Sequence, residues 1–164
     1  MPCDHRSAPD GSRATGRPRA GALRPAADVR AEGRMGRHPH MTTTPPMRLT
    51  AINIDCPDPL ALAAFYQQAT GLTPHPASNA DFAGLTREDG LFIGFQRVAD
   101  YRPPRWPDPA APQQFHLDFA VDDLDRARSR LVELGAREPA HQPGGERWRV
   151  LVDPAGHPFC LTRK

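Results

Sequence analysis

Two stretches of this chain follow one plan. Residues 51–71, AINIDCPDPLALAAFYQQATG, and residues 116–135, HLDFAVDDLDRARSRLVELG, each read as a short alternating strand, an acidic helix start, an amphipathic helix and a closing glycine. One strand–helix unit therefore occurs twice, which predicts two modules with a cleft between them.

The rest of the chain fits around that plan. Its 164 residues suit one domain plus an extension. Residues 1–46 are rich in Arg, Pro and Gly and show no apolar periodicity. Such a stretch buries too little surface to offset its ordering entropy, so it is expected to be a disordered extension. Residues 1–40 hold eight Arg against four acidic residues, whereas residues 41–164 hold thirteen basic against fifteen acidic, a net −2. The basic balance thus belongs to the extension, whose arginines are scattered and not interleaved with aromatics. No nucleic-acid footprint is expected in the folded part.

No apolar run approaches the roughly 20 residues of a membrane span, and the start of the chain lacks the apolar core of a secretory signal. Cys3, Cys56 and Cys160 are odd in number and form no metal-type pair. Reduced thiols and a cytoplasmic location are the expectation.

In the first module, spanning about 48–98, Ile52, Ile54 and Cys56 alternate with Ala51, Asn53 and Asp55. Asp58 caps a helix with Pro59 at its first position, Leu62, Phe65, Tyr66 and Ala69 form its apolar stripe, and Gly71 ends it. Strands are expected near 73–76, 81–87 and 91–97. A connector over 99–113 holds five prolines, which exclude helix and central strand.

The second module, about 114–163, repeats the scheme. Phe115, Leu117, Phe119 and Val121 form one strand face, with His116, Asp118 and Ala120 on the other. Asp122 or Asp123 caps a helix with the stripe Leu124, Ala127, Leu131 and Leu134, and Gly135 stops it. Strands are expected at 136–140, 146–152 and 158–163. The fold class is therefore α+β: two tandem βαβββ modules forming a mixed, mostly antiparallel sheet, with a concave cleft and helices on the outer face.

These residues resemble the vicinal oxygen chelate superfamily, which includes glyoxalase I, extradiol dioxygenases and bleomycin-resistance proteins. The resemblance rests on DPLALAAFYQQATGL, FHLDFAVDDLDRARSRLVELGA and the closing DPAGHPFCL, and covers roughly 48–163. IDC-x-DP, FQRV and HLDF look like glyoxalase-like domains of that group. The metal-using members imply two ligands from each module, one on its first strand and one on its last. Carried over, those positions fall on Ala51, near Gly94, on His116 and on Cys160. Ala and Gly offer no ligand atom, so the usual metal site is expected to be lost and no cofactor is expected. A divalent ion held in a shifted site of His116, Asp118 and Cys160 is the alternative.

The resemblance thus implies a metal-independent module that binds a small molecule. Asn53, Asp55, Gln96, His116, Asp118, Trp148 and Cys160 are the candidate cavity residues. A divergent lyase, isomerase or dioxygenase is the other reading, with His116 as general base and Asp118 orienting it. A homodimer with a vestigial cleft is a third. Tyr101, Trp106 and Trp148 suit either ligand stacking or packing. His157 reads as a surface residue, and His75 and His141 as loop residues. The chain has no phosphate-cradling glycine loop, H-E-x-x-H or nucleophile elbow.

Overall fold

The computed structural model describes residues 47–164; the expected disordered extension over 1–46 lies outside the described residues. The elements run β1 (Ala51–Cys56), α1 (Pro59–Thr70), β2 (Thr73–Pro74), β3 (Phe82–Thr86), β4 (Phe92–Arg97), β5 (Asp118–Val121), α2 (Leu124–Glu133), β6 (Trp148–Val152) and β7 (Pro158–Arg163).

Local chemistry sets the helix ends. The Asp58 carboxylate accepts the Ala61 N–H at 3.0 Å, Pro59 starts α1, and Gly71 closes it at φ 73°, a left-handed conformation that favours glycine. Asp123, rather than Asp122, caps α2 by accepting the Arg126 N–H at 2.9 Å. The apolar stripes face inward: Leu62, Phe65 and Tyr66 of α1 and Leu124 and Leu131 of α2 are buried.

The strands form two sheets rather than the one anticipated, ordered β1-β4-β3-β2 and β5-β7-β6. The pairing scheme is common to both. The first strand lies parallel to the last, with Asn53 opposite Gly94 in one sheet and Asp118 opposite Cys160 in the other. The remaining pairs are antiparallel.

The expected strand at 136–140 is reduced to a single bridge between Arg137 and Val152. The next backbone donor along an antiparallel ladder would come from residue 139, which is a proline and has no N–H. The Gln142 side chain does that work instead. Its Oε1 accepts the Val150 N–H at 2.9 Å and its Nε2 donates to the Val150 carbonyl at 2.8 Å. The strand expected from 115 likewise begins only at Asp118, although the Leu117 carbonyl still accepts the Cys160 N–H at 2.8 Å.

One core serves both sheets. Tyr66 stacks on Phe95 of β4 at 5.5 Å between ring centroids, while Phe65 meets Phe159 of β7 edge-on at 6.2 Å. Phe119 of β5 packs on Phe159 at 5.9 Å. Helix α1 therefore joins the sheet that follows it to the sheet of the other half. The Tyr66 hydroxyl carries this further by donating to Asp153 Oδ2 at 2.9 Å. Asp153 is the one fully buried charged side chain among the described residues, at 1% exposure. Its Oδ1 accepts the N–H groups of Ala155 and His157, each at 2.9 Å, so the carboxylate organises its own turn.

Burial pushes the Asp153 carboxyl above the ordinary aspartate range, against the opposing pull of His157 and of its hydrogen bonds. A carboxyl raised in this way stabilises the fold fully below its unfolded pKa and loses that contribution as pH rises through its folded pKa. In urea titrations the wild type should therefore gain stability relative to Asp153→Asn as pH falls from about 7 to about 4. A difference that is flat, or that runs the other way, would refute this. Tyr66→Phe should cost about 1–3 kcal/mol at neutral pH, because it strips a donor from a buried charged acceptor.

Candidate functional site

Three side chains of metal-ligating type converge at the start of the second sheet. Asp118 and Cys160 are partners across the β5–β7 ladder, and His116 lies two residues before Asp118, on the same side of the chain. One ligand atom from each lies within 4.8 Å of those of the other two. His116 Nε2 is 3.3 Å from Asp118 Oδ2, and His116 Nδ1 is 3.3 Å from the Gln113 amide nitrogen. Cys160 is buried, the His116 side chain is 18% exposed, and the Asp118 side chain 41%. The cluster is thus closed at the sulfur and open at the carboxylate. Cys160 packs with Trp148 and Val150, and Trp106 from the connector lies against that group.

A cleft of about 400 Å³ forms a second feature. One wall carries Asn53 and Asp55 of β1. The other comes from the connector through Tyr101, Pro103, Pro104, Pro112 and Phe115, with His157 also lining the cleft. The connector is anchored against the 153–157 turn at Gly156, where φ is 100° and a Cβ would collide with Pro103.

His157 Nε2 lies 2.7 Å from the Asp55 carbonyl and 2.9 Å from the Tyr101 hydroxyl. A carbonyl only accepts, so Nε2 carries the proton and donates, and the Tyr101 oxygen is on the receiving side of this contact. The phenol O–H is then left as a donor. Burial, reinforced first by the nearby Asp153 carboxylate, raises the Tyr101 pKa, which keeps that proton in place.

The anticipated cavity residues are therefore distributed. Asn53 and Asp55 line the cleft. His116, Asp118 and Cys160 form the cluster, with Trp148 packed beside Cys160. Gln96 is an exposed residue of β4 opposite Asp55 and lines neither. His157, read from the sequence as a surface residue, is half-buried in the cleft wall. Its partner lies 102 residues away, which turn chemistry does not disclose. Tyr101, Gln113 and Phe115 gain their places through the same long-range folding of the connector.

Another cavity of about 310 Å³ lies on the helical side, lined mainly by Phe65, Phe119, Ala127, Leu131 and Phe159. It lies between the two helices and the strands beneath them, at a seam of the apolar core, with Thr70 and Arg130 also in its lining.

Among the described residues the other thiol is Cys56. Cys56 is buried, its Sγ donates to the Gln96 carbonyl at 3.6 Å, and burial pushes its pKa up to about 11.

A family model for the glyoxalase-like domain matches residues 51–162. Mycobacterial proteins from Mycobacterium bovis and Mycobacterium tuberculosis, each named "Putative glyoxylase CFP32", are 36% identical over 112 residues, or 66% of this chain. The chain spans 40% of the length of those relatives. Among solved structures, a possible glyoxalase from Bacillus cereus superposes with a TM-score of 0.55 at 19% identity, covering 71% of this chain and 99% of its own. A glyoxalase/bleomycin resistance protein/dioxygenase family enzyme from Burkholderia phytofirmans PsJN gives 0.55 at 24% identity, covering 71% and 98%. The architecture is that of the vicinal oxygen chelate superfamily. Within it, this chain belongs to the glyoxalase-like domain family.

The divalent ion that this superfamily implies does not fit its usual four positions here. Ala51 has no ligand atom, and the space where a side chain on Gly94 would begin is taken by the Asn53 amide oxygen and the Phe82 ring. Gly94→Ala should therefore destabilise the protein by about 1–3 kcal/mol, the cost of overpacking a tight site. Urea unfolding checks this, and a neutral substitution would show that Asn53 and Phe82 give way freely.

Proposed function

We propose that this protein binds a small molecule in the cleft between β1, the connector and the 153–157 turn, without an ion shared between its two halves. The observation that carries this reading is the Tyr101–His157–Asp55 arrangement, which fixes a phenol donor in a cleft of about 400 Å³. Asn53 adds amide donors and an acceptor, and Asp55 adds a carboxylate. Proline rings and Phe115 supply an apolar surface. A small compound with a flat apolar body and a few acceptor atoms suits such a lining. Holding it needs shape and fixed polar groups rather than a Lewis acid.

A small-molecule partner, rather than nucleic acid, also suits the net charge of −2 over residues 41–164. No helix among the described residues is long and apolar enough to cross a membrane.

A second reading, a divergent lyase, isomerase or dioxygenase, is favoured by the His116–Asp118 contact at 3.3 Å. That pair suits a general base with an orienting carboxylate, and the mycobacterial relatives carry a glyoxylase name. Once a turnover is found, His116→Ala should suppress it; unchanged turnover would remove this reading.

For the binding reading, a thermal-shift screen of the full chain against small aromatic and carbonyl compounds should return stabilising ligands. Tyr101→Phe should then weaken the best of them by about threefold to tenfold, the worth of one hydrogen bond. A screen without hits, or hits indifferent to Tyr101→Phe, would overturn the proposed site.

A further inference from the structure

We propose that His116, Asp118 and Cys160 form a one-sided metal site, built wholly from the second half of the domain, that takes a thiophilic divalent ion of the zinc class. It departs from a site shared between two halves in ligand number, in donor chemistry and in the ions it should accept.

A tetrahedral ion with Zn–S near 2.3 Å and Zn–N or Zn–O near 2.0–2.2 Å needs ligand atoms about 3.5 Å apart. His116 Nε2 and Asp118 Oδ2 already stand 3.3 Å apart, and the three ligand atoms span at most 4.8 Å. The excess is within what small side-chain rotations close. Two of the three anchors are fixed by the β5–β7 ladder, and the third is tied by the Leu117 carbonyl to the same strand.

A histidine that ligates through Nε2 needs an acceptor for its Nδ1–H. The Gln113 amide is 3.3 Å from that nitrogen, and turning the amide over presents its oxygen. Cys160 lies buried against Trp148, with Trp106 close by, in surroundings that favour a thiolate only beside a cation. The partly exposed Asp118 side leaves a coordination position open to solvent or to a small ligand.

Asn53 and Gly94 hold in the first sheet the register that Asp118 and Cys160 hold in the second. There the neutral amide fills the room that a second ligand would need. The first half therefore adds no anionic ligand, and the donor set is one imidazole, one carboxylate and one thiolate. A thiolate in a three-ligand set selects zinc or cobalt over magnesium, calcium or manganese.

The test uses the full chain, stripped with EDTA and titrated with Co(II) under anaerobic, reducing conditions. One equivalent should produce a thiolate-to-cobalt charge-transfer band and strong visible bands, which one equivalent of zinc abolishes and a hundredfold excess of magnesium does not. Cys160→Ser should remove the charge-transfer band. Because Cys160 is buried, His116→Gln provides the independent variant. It should keep the fold by circular dichroism and weaken cobalt binding by more than the roughly hundredfold that loss of an outer-shell partner can bring. Absence of the band in folded protein, its survival in Cys160→Ser, unchanged affinity in His116→Gln, or displacement by magnesium would each overturn the proposal. Neither result bears on the cleft, whose ligand screen contains no metal, so the two proposals fail separately.

Discussion

Asp153 sits where the two halves of the domain have to agree. Its carboxylate faces the Tyr66 hydroxyl from the first helix on one oxygen and two backbone N–H groups of its own turn on the other. A buried carboxylate is costly unless its lone pairs are met, so the turn, the helix and their separation are fixed together. The same turn carries His157 to the Asp55 carbonyl and packs Gly156 on Pro103. The cleft wall is thus a by-product of satisfying one buried charge. The stacked Tyr66 and Phe95 rings hold the phenol in register for that bond.

The local plan was plain in the sequence. Asp58 with Pro59, Asp123, Gly71 and the apolar stripes mark two helices, because capping and periodicity act over a few residues. The family likeness was legible for the same reason. The missing strand was not, since Pro139 removes a donor and a glutamine side chain, not a backbone, replaces it. Pro139 follows Arg137 and Glu138 in a short mixed segment, and nothing local there discloses that Gln142 folds back to Val150. The division into two sheets was also hidden, because neither partner strand advertises where its ladder stops.

The candidate site was legible as a list of residues and not as an arrangement. Alternation put Asn53 and Asp118 on comparable faces, and the two hold corresponding register positions, opposite Gly94 and Cys160. What alternation could not supply was the occupancy of the space around them. Asn53 turns its amide into the void beside Gly94, whereas Asp118 stands beside a histidine and a thiol. Positions that match in the backbone therefore differ in chemistry.

The Gln142 side chain has one more effect. A strand at the border of a sheet leaves a row of backbone groups that another polypeptide can join. On the outer side of β6, Arg137 occupies both groups of Val152, and Gln142 occupies both groups of Val150. That border is closed to a second chain by a loop of the same molecule, at the expense of one glutamine and without a full strand. The loop is thereby a guard against self-templated growth of the sheet, and its length is constrained by that task.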